Sequence, residues 1–249
     1  PDPSNKLPIL YGENKVRGTV VMADMSSDNQ KMAYILALGE GEINGSTQAY
    51  WNDKTLTLDG DITTGLRGIT NATDIDGNSQ DFLNGNVKVR MYPTGGRCSE
   101  MESFSSVWNA DASNRTMPNT PYVFVEVTYN RDAGVTSLGD LSFDITGKKI
   151  RTLSGGVASG AETYSNNPAE CILDYLTDSV SGLGLSDSQV DLDSLQTLKD
   201  FCDESVNYTT IAGATGTANT GGGGGGAGAG PTSGQAGGSG IVIIRYKFQ

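Results

Sequence analysis

The side chains that most often carry catalysis are scarce in this chain. Its 249 residues include no histidine, which removes the usual general base, the base of hydrolytic triads and the commonest metal ligand. Glu40 and Glu42 are close enough in sequence for paired acid–base work, but acids are common in glycine-rich turns and no nucleophile motif accompanies them. We therefore predict no catalytic residue, no cofactor site and no enzymatic activity.

One acidic stretch raises the question of calcium. It places Asp74, Asp76 and Asn78 around a glycine, in the pattern D-x-D-G-N. This pattern is not an EF-hand loop, because the glycine comes too early and no glutamate stands at the far end. Aspartate, glycine and asparagine build turns in any case. We interpret the stretch as a solvated turn.

The three cysteines, Cys98, Cys171 and Cys202, show no CxxC spacing, so no zinc or redox motif is indicated. Free cysteine is among the most buried residue types, and cysteine stays reduced in a reducing compartment. We therefore predict no metal site, and reduced thiols of which Cys171 and Cys202 are at least partly buried.

Composition excludes further classes of function. The net charge of −12 argues against a nucleic-acid partner, since phosphate affinity comes mainly from basic residues. No apolar run approaches the ~18 residues that a membrane-spanning helix needs. The six glycines at 221–226 are not a phosphate-binding loop, because no GK[ST] follows them.

A helical pattern between residues 166 and 204 predicts the first of the elements that could position a site. Asn167 can cap a helix whose first position takes Pro168, and a GLGL turn separates it from a second helix capped by Asp191 or Asp193. The residues expected on the inner faces are Ala169, Ile172, Leu173 and Leu176 in the first helix, and Leu195, Leu198, Phe201 and Cys202 in the second. We predict an αα-hairpin that needs a surface to pack on.

Strand patterns fill most of the chain before this hairpin. The predicted strands lie within residues 9–25, 31–45, 48–58, 87–93, 121–130 and 141–153, while 59–120 otherwise holds turns between short strands. In the stretch 121–130 the valines share one face, which we expect to be core. We predict a hairpin tip at Asn52 and Asp53, since both residue types tolerate turn conformations. The predicted fold is mainly β with one small α-helical hairpin, α+β overall.

Several pieces of the chain resemble the central tail-tip, or tail-hub, protein of long-tailed bacteriophages, the lambda-like host-specificity protein J family. The matching pieces are LPILYGENKVRG (7–18), LALGEGEING (36–45), AYWND (49–53), GKKI (147–150), YSNNPA (164–169), ILDYLT (172–177), GLGL (182–185) and FCDE (201–204). Their order and spacing match the family over a stretch of about two hundred residues. One departure is Ser181, where the family pattern has tyrosine before GLG.

The resemblance implies a hub-like β-barrel or sandwich and a structural role in the virion. It implies a homotrimer around the tail axis that closes the tail tube, assembled in the host cytoplasm. Its implied partners are the distal tail or tube protein, the tape-measure protein, the fibres and a host receptor. A family member would continue into further hub and fibronectin-like domains, and this chain departs from that pattern.

After Tyr208 the composition shifts to glycine, alanine, serine and threonine, and the chain ends in GIVIIRYKFQ. Such a tract is a flexible linker by default, because it cannot bury enough apolar surface to offset its ordering entropy. It also resembles the glycine-rich ends of phage tail-fibre and adhesin proteins. The alternative function is therefore a tail adhesin that recognises a host surface glycan or protein.

We predict four regions: a β-rich body at 1–156, a helical hairpin subdomain at 157–208, the glycine-rich tract at 209–240 and a C-terminal strand at 241–249. The candidate assembly residues are the basic cluster Lys148, Lys149 and Arg151 and the apolar run Ile241, Val242, Ile243 and Ile244. The basic cluster could instead be a solvated strand edge guarded by charge. The apolar run should anchor the tract by adding to a sheet edge.

Overall fold

A computed structural model describes residues 7–204 and the two-residue strand Ile243–Ile244. The chain divides into two compact units. The first comprises Pro1–Pro8 and Lys15–Ile145, and the second comprises Ile9–Asn14 and Thr146–Gln249. The division into four regions given above stays a prediction.

The described residues are mostly β. The strands are β1 (Ile9–Leu10), β2 (Glu13–Val16), β3 (Thr19–Met25), β4 (Lys31–Ala37), β5 (Ile43–Trp51), β6 (Lys54–Leu58), β7 (Arg67–Thr73), β8 (Ser79–Gln80), β9 (Val87–Tyr92), β10 (Gly95–Gly96), β11 (Met117–Pro118), β12 (Tyr122–Thr128), β13 (Leu141–Ser154), β14 (Val157–Tyr164) and β15 (Ile243–Ile244). The helices are α1 (Ser99–Phe104), α2 (Ser106–Asn109), α3 (Pro168–Thr177) and α4 (Leu192–Asp203), with a 3₁₀ turn at Asp187–Gln189. The predicted fold class, mainly β with a small helical hairpin, is confirmed.

In the first unit the strands form a sheet in the order β5-β6-β7-β9-β12-β4-β3, with β8 beside β7. The central strand β12 pairs antiparallel with β4 and with β9. Its valines are buried as predicted, but Tyr122 and Phe124 on the opposite face are fully buried too. The prediction of a single core face was therefore incomplete.

The second buried face of β12 is explained by two short helices that the sequence patterns did not indicate. Tyr122 and Phe124 belong to a cluster with Cys98, Met101 and Trp108, the last two of which lie on α1 and α2. The prediction of only turns and strands between residues 59 and 120 was wrong here. These helices have 6 and 4 residues, too few to show a helical period.

The hairpin tip predicted at Asn52 and Asp53 is confirmed. Strands β5 and β6 pair on either side of it, and both tip residues have positive φ angles, 49° and 63°. Two consecutive residues of this kind form the turn whose twist matches that of the flanking strands.

The second unit contains the β13–β14 hairpin and the two predicted helices. The side chain of Asn167 accepts a hydrogen bond from the Ala169 N–H at the start of α3. The side chain of Asp191 likewise accepts one from the Ser194 N–H at the start of α4. The Asn167 amide also donates to the Lys199 carbonyl, which ties the start of α3 to the end of α4. The predicted helical hairpin and its caps are confirmed.

The predicted helix faces need correction. In α3, Ala169 and Leu173 are buried as predicted, but Ile172 is exposed. The buried face instead contains Glu170 and Asp174. In α4 no residue is buried, and Phe201 is 72% exposed. The apolar face of α4 is thus uncovered by the described part of the chain.

Near the chain's end, Ile243 and Ile244 pair antiparallel with Leu10 and Ile9. The other two residues of the predicted anchor, Ile241 and Val242, and the whole glycine-rich tract lie outside the described residues. Among the residues that are described, no helix is long and apolar enough to cross a membrane.

Candidate functional site

The most distinctive chemistry in the structure lies on the inner face of α3. Glu170, Asp174 and Asp178 follow at intervals of four residues, which places them along one side of a helix. Glu170 and Asp174 are only 2% and 6% exposed. We call these three residues the carboxylate stripe. Buried carboxylates must be paired or hydrogen-bonded, because an isolated buried charge is very costly.

The partner of the stripe is Lys148 on β13. Its ammonium lies 2.7 Å from a carboxylate oxygen of Asp174 and also donates to Asp178. The same oxygen of Asp174 accepts a 2.6 Å hydrogen bond from the Tyr11 hydroxyl. Lys148 is 6% exposed, so the ion pair is buried from both sides.

A glycine allows the strands to approach this closely. The N–H of Gly147 donates to the Gly12 carbonyl at 2.7 Å. A Cβ on Gly147 would lie 2.3 Å from the Leu10 carbonyl oxygen, which is closer than a Cβ atom approaches a non-bonded heavy atom in folded proteins. The glycine of the GKKI piece therefore lets residues 9–14 lie against β13, with Tyr11 beside Asp174.

The pKa values follow from burial and charge acting in opposite directions. Burial alone would lower the pKa of Lys148, but the hydrogen bonds and charges of Asp174 and Asp178 outweigh it and raise that pKa. Burial would raise the pKa of Asp178, but Lys148 and the N–H groups of Ser181 and Val180 hold it below its usual range. Lys148 and Asp178 therefore stay charged at neutral pH.

Further contacts extend the docking of α3 onto β13. The Glu170 carboxylate accepts from the Leu153 N–H at 2.8 Å and from the Ser165 hydroxyl. Arg151 donates to both carboxylate oxygens of Asp187, at 2.7 and 3.0 Å, and to the Thr177 hydroxyl. Arg151, Asp178 and Asp187 also line a polar cleft of about 430 Å³.

The departure at Ser181 is accommodated by the same network. Ser181 is 2% exposed, and its hydroxyl donates to Asp178 at 2.9 Å. Asp178 thereby holds both the end of α3 and the start of the glycine turn. In this chain, a hydrogen bond stands where the family pattern has a tyrosine.

The structure places the predicted assembly residues as follows. Lys148 is buried, so its interpretation as part of a solvated strand edge was wrong, and Arg151 is paired with Asp187 within its own unit. Lys149 is partly exposed. Ile243 and Ile244 form β15 against β1 of the same chain. The assembly role of all these residues stays a prediction.

Two of the cysteines behave as predicted. Cys98 and Cys171 are free and buried, and burial raises their pKa values to about 11 and about 12, so the unreactive thiol form dominates at neutral pH. Cys202 is free but exposed. Its predicted burial was wrong, because α4 leaves that face uncovered in the described residues.

The solvated turn predicted at Asp74 is confirmed. One oxygen of its carboxylate accepts hydrogen bonds from the N–H groups of Asp76 and Asn78, at 3.0 and 2.9 Å. The carboxylate thus stabilises the turn directly. Across residues 7–204, no group of three or more acidic, cysteine or histidine side chains is arranged to hold a metal ion.

These contacts define what the site can do chemically. Each charged group of the site is paired with an opposite charge or accepts a hydrogen bond. The arrangement therefore fixes the orientation of α3 on β13. The spacing of Glu170, Asp174 and Asp178 was visible in the sequence. The sequence did not show that these carboxylates are buried, because their partner Lys148 lies 26 residues before Asp174.

Comparisons with known proteins point to phage particles. The chain is 23% identical over 239 residues to the baseplate hub protein pb3 of Escherichia phage T5, in a match that covers 80% of this chain and 25% of that protein. It is thus a distant relative of a phage baseplate hub protein, and it spans about a quarter of that relative's length. No protein-family model matches the chain.

Among solved structures, a chain from the virion of a native gene transfer agent particle is 16% identical. The match covers 61% of this chain and 29% of that one, with a TM-score of 0.33. Membership of the lambda-like host-specificity family stays a prediction.

Proposed function

We propose that this chain is a structural virion protein of the phage tail tip, where it forms part of the baseplate hub, closes the tail tube and organises the host-attachment apparatus. The observation that carries the proposal is the similarity to a baseplate hub protein over 80% of the chain. The ordered series of hub-like pieces in the sequence supports it.

In this proposal the chain acts by burying interfaces, as a homotrimer around the tail axis, and not by bond chemistry. Its neighbours are the distal tail or tube protein, the tape-measure protein and the fibres. The engagement of the buried charges in docking α3 on β13 supports a structural use of those groups. The strand β3, whose outer edge has no partner among the described residues, is a surface on which copies can join.

Labelling of intact particles tests the proposal. An antibody raised against residues 15–145 and carried on gold should mark one end of the tail in electron micrographs, at about three copies per particle by quantitative mass spectrometry. Labelling along the tube, on the capsid or only on peripheral fibres would refute the hub assignment. A peripheral fibre label would favour the adhesin alternative, whose glycine-rich tract lies outside the described residues.

A further inference from the structure

Helix α4 turns its polar side toward its own unit and much of its apolar side toward solvent. On the polar side, the Gln196 side chain accepts a hydrogen bond from the Gly156 N–H at 3.2 Å. The Asn167 amide donates to the Lys199 carbonyl at 3.2 Å and to the Asp203 carboxylate at 2.8 Å. Polar contacts therefore fix α4 on its unit, and no residue of the helix is buried.

The apolar residues of α4 beyond its first turn share one side of the helix. They are Leu195, Leu198, Phe201 and Cys202, and we call them the apolar face of α4. Leu198 is 37% exposed and Phe201 is 72% exposed, and Cys202 is exposed as well. Apolar residues spaced by three and four positions are the anchors with which an amphipathic helix binds in an apolar groove of a partner.

Acidic side chains border this face at the end of α4. Glu204 follows Phe201 by three residues and Asp200 by four, so the three side chains are neighbours at the helix surface. Both carboxylates are exposed, and neither forms a salt bridge within the described part of the chain. Asp200 accepts a hydrogen bond from the Gln196 amide at 2.7 Å, but this donor is neutral and leaves the negative charge in place.

The helix terminus adds to this negative charge. The C-terminal end of a helix carries partial negative charge, which nearby cations stabilise. The last turn of α4 contains no basic residue, and the one lysine of the helix, Lys199, is paired with Asp203 at 2.7 Å. Pairing α4 with the same helix of a second copy would bring like charges together, which is unfavourable. The surface therefore fits a partner that is apolar at its centre and positively charged at its rim.

We propose that the apolar face of α4 binds in an apolar groove of a different protein of the phage particle, and that lysine or arginine side chains at the rim of this groove pair with Asp200 and Glu204. Phe201 is the anchor that enters the groove, because aromatic side chains bury the largest apolar area at interfaces. The inference rests on the proposed function in one respect, that this chain is assembled with other proteins of the particle.

The reactivity of Cys202 tests whether the apolar face is covered on assembly. A bulky maleimide is added to the purified full chain and to intact particles, and the label on each cysteine is measured by mass spectrometry. We expect Cys202 to react about tenfold more slowly in particles, because contacts around a buried anchor exclude solvent. The buried thiols of Cys98 and Cys171 should stay unlabelled in both samples and serve as internal controls.

A photo-cross-linker at position 201 identifies what covers the face. Phe201 is replaced by benzoylphenylalanine in the full chain, particles containing it are irradiated, and the linked peptides are sequenced. We expect a link to a different particle protein. The matched control carries the same group at Val157, a side chain on β14 of the same unit that is 66% exposed, and should not link to that peptide.

Charge reversal tests the rim. Combining Asp200→Lys with Glu204→Lys should lower the yield of this link about tenfold, because like charges across an interface are unfavourable. Cations at a helix C-terminus favour the helix, so the loss reports the interface and not unfolding of α4. Asp200→Asn combined with Glu204→Gln should lower the yield less.

Three results would overturn the inference. They are equal reactivity of Cys202 in particles and in the purified chain, a link from position 201 to this chain itself, in the same or a second copy, and a yield that charge reversal leaves unchanged. Each of them leaves the tail-tip assignment standing, because particle labelling tests that separately.

Discussion

The buried lysine of the second unit offers the sharpest test of how this protein is held together. Replacing Lys148 with methionine keeps most of the side-chain volume but removes the positive charge. Asp174 would then keep a single side-chain donor, Tyr11, and Asp178 would lose its cation. The side chains of Lys148 and Asp174 are each only 7% exposed, so water replaces the lost ammonium poorly at Asp174.

The magnitude follows from the burial. Removing one member of a buried ion pair typically costs about 3–5 kcal/mol, because the remaining charge stays desolvated and uncompensated. We therefore expect Lys148→Met to lower the free energy of unfolding of the second unit by about that amount. Urea titration followed by hydrogen exchange of the α3 amides measures it, since exchange reports the second unit separately.

Two further variants make this test decisive. Lys15→Met is the matched control, because Lys15 pairs with Asp53 at the surface of the first unit and exposed pairs contribute little. Combining Lys148→Met with Asp174→Leu should recover part of the loss, since an apolar pair can replace a buried ion pair, although Asp178 still lacks its cation and the Tyr11 hydroxyl loses its acceptor. If Lys148→Met costs no more than Lys15→Met, the buried pair does not hold α3 in place.

Three other properties can be measured directly. Because the pKa of Asp178 is lowered on folding, its contribution to stability should be present above about pH 4 and be lost as the pH falls further; loss of the helical circular dichroism signal between pH 6 and 5 would contradict this. A bulky maleimide should label Cys202 in the native protein but Cys171 only after unfolding, as read by mass spectrometry. Gly147→Ala should destabilise the second unit strongly, because its Cβ would lie 2.3 Å and 2.8 Å from two carbonyl oxygens, whereas Gly160→Ala, with nothing within 4 Å, should change the melting temperature little.

Local signals in the sequence were sufficient for much of the fold. The alternation around Phe124 predicts β12, Asn52 and Asp53 predict the hairpin tip, and Asn167 followed by Pro168 predicts the start of α3. Each of these features depends on residues that are neighbours along the chain. The structure has them where the sequence indicates.

The orientation of α3 could not be predicted in the same way. Apolar periodicity favours a face that contains Ile172, yet the structure exposes Ile172 and buries Glu170 and Asp174. The deciding contacts come from Lys148 and Tyr11, and Tyr11 is 163 residues away from Asp174 along the chain. A carboxylate is normally assigned to the solvent side of a helix, and only knowledge of a distant partner reverses that assignment.

The contact of α3 with β13 and the outer edge of β3 differ in how they use charge. A buried ion pair adds little net stability over an apolar pair, but it penalises every orientation that leaves a charge unpaired. The stripe on α3 and Lys148 therefore fix one orientation of the helix on β13 within the second unit. At the edge of β3, apolar side chains are left exposed and only Asp24 carries a charge. An edge of that kind offers apolar surface to an added strand, while its single carboxylate already accepts a hydrogen bond from the Ser105 hydroxyl. Internal orientation is thus specified by buried charges that are paired with each other, whereas the outer edge of β3 offers a mainly apolar surface.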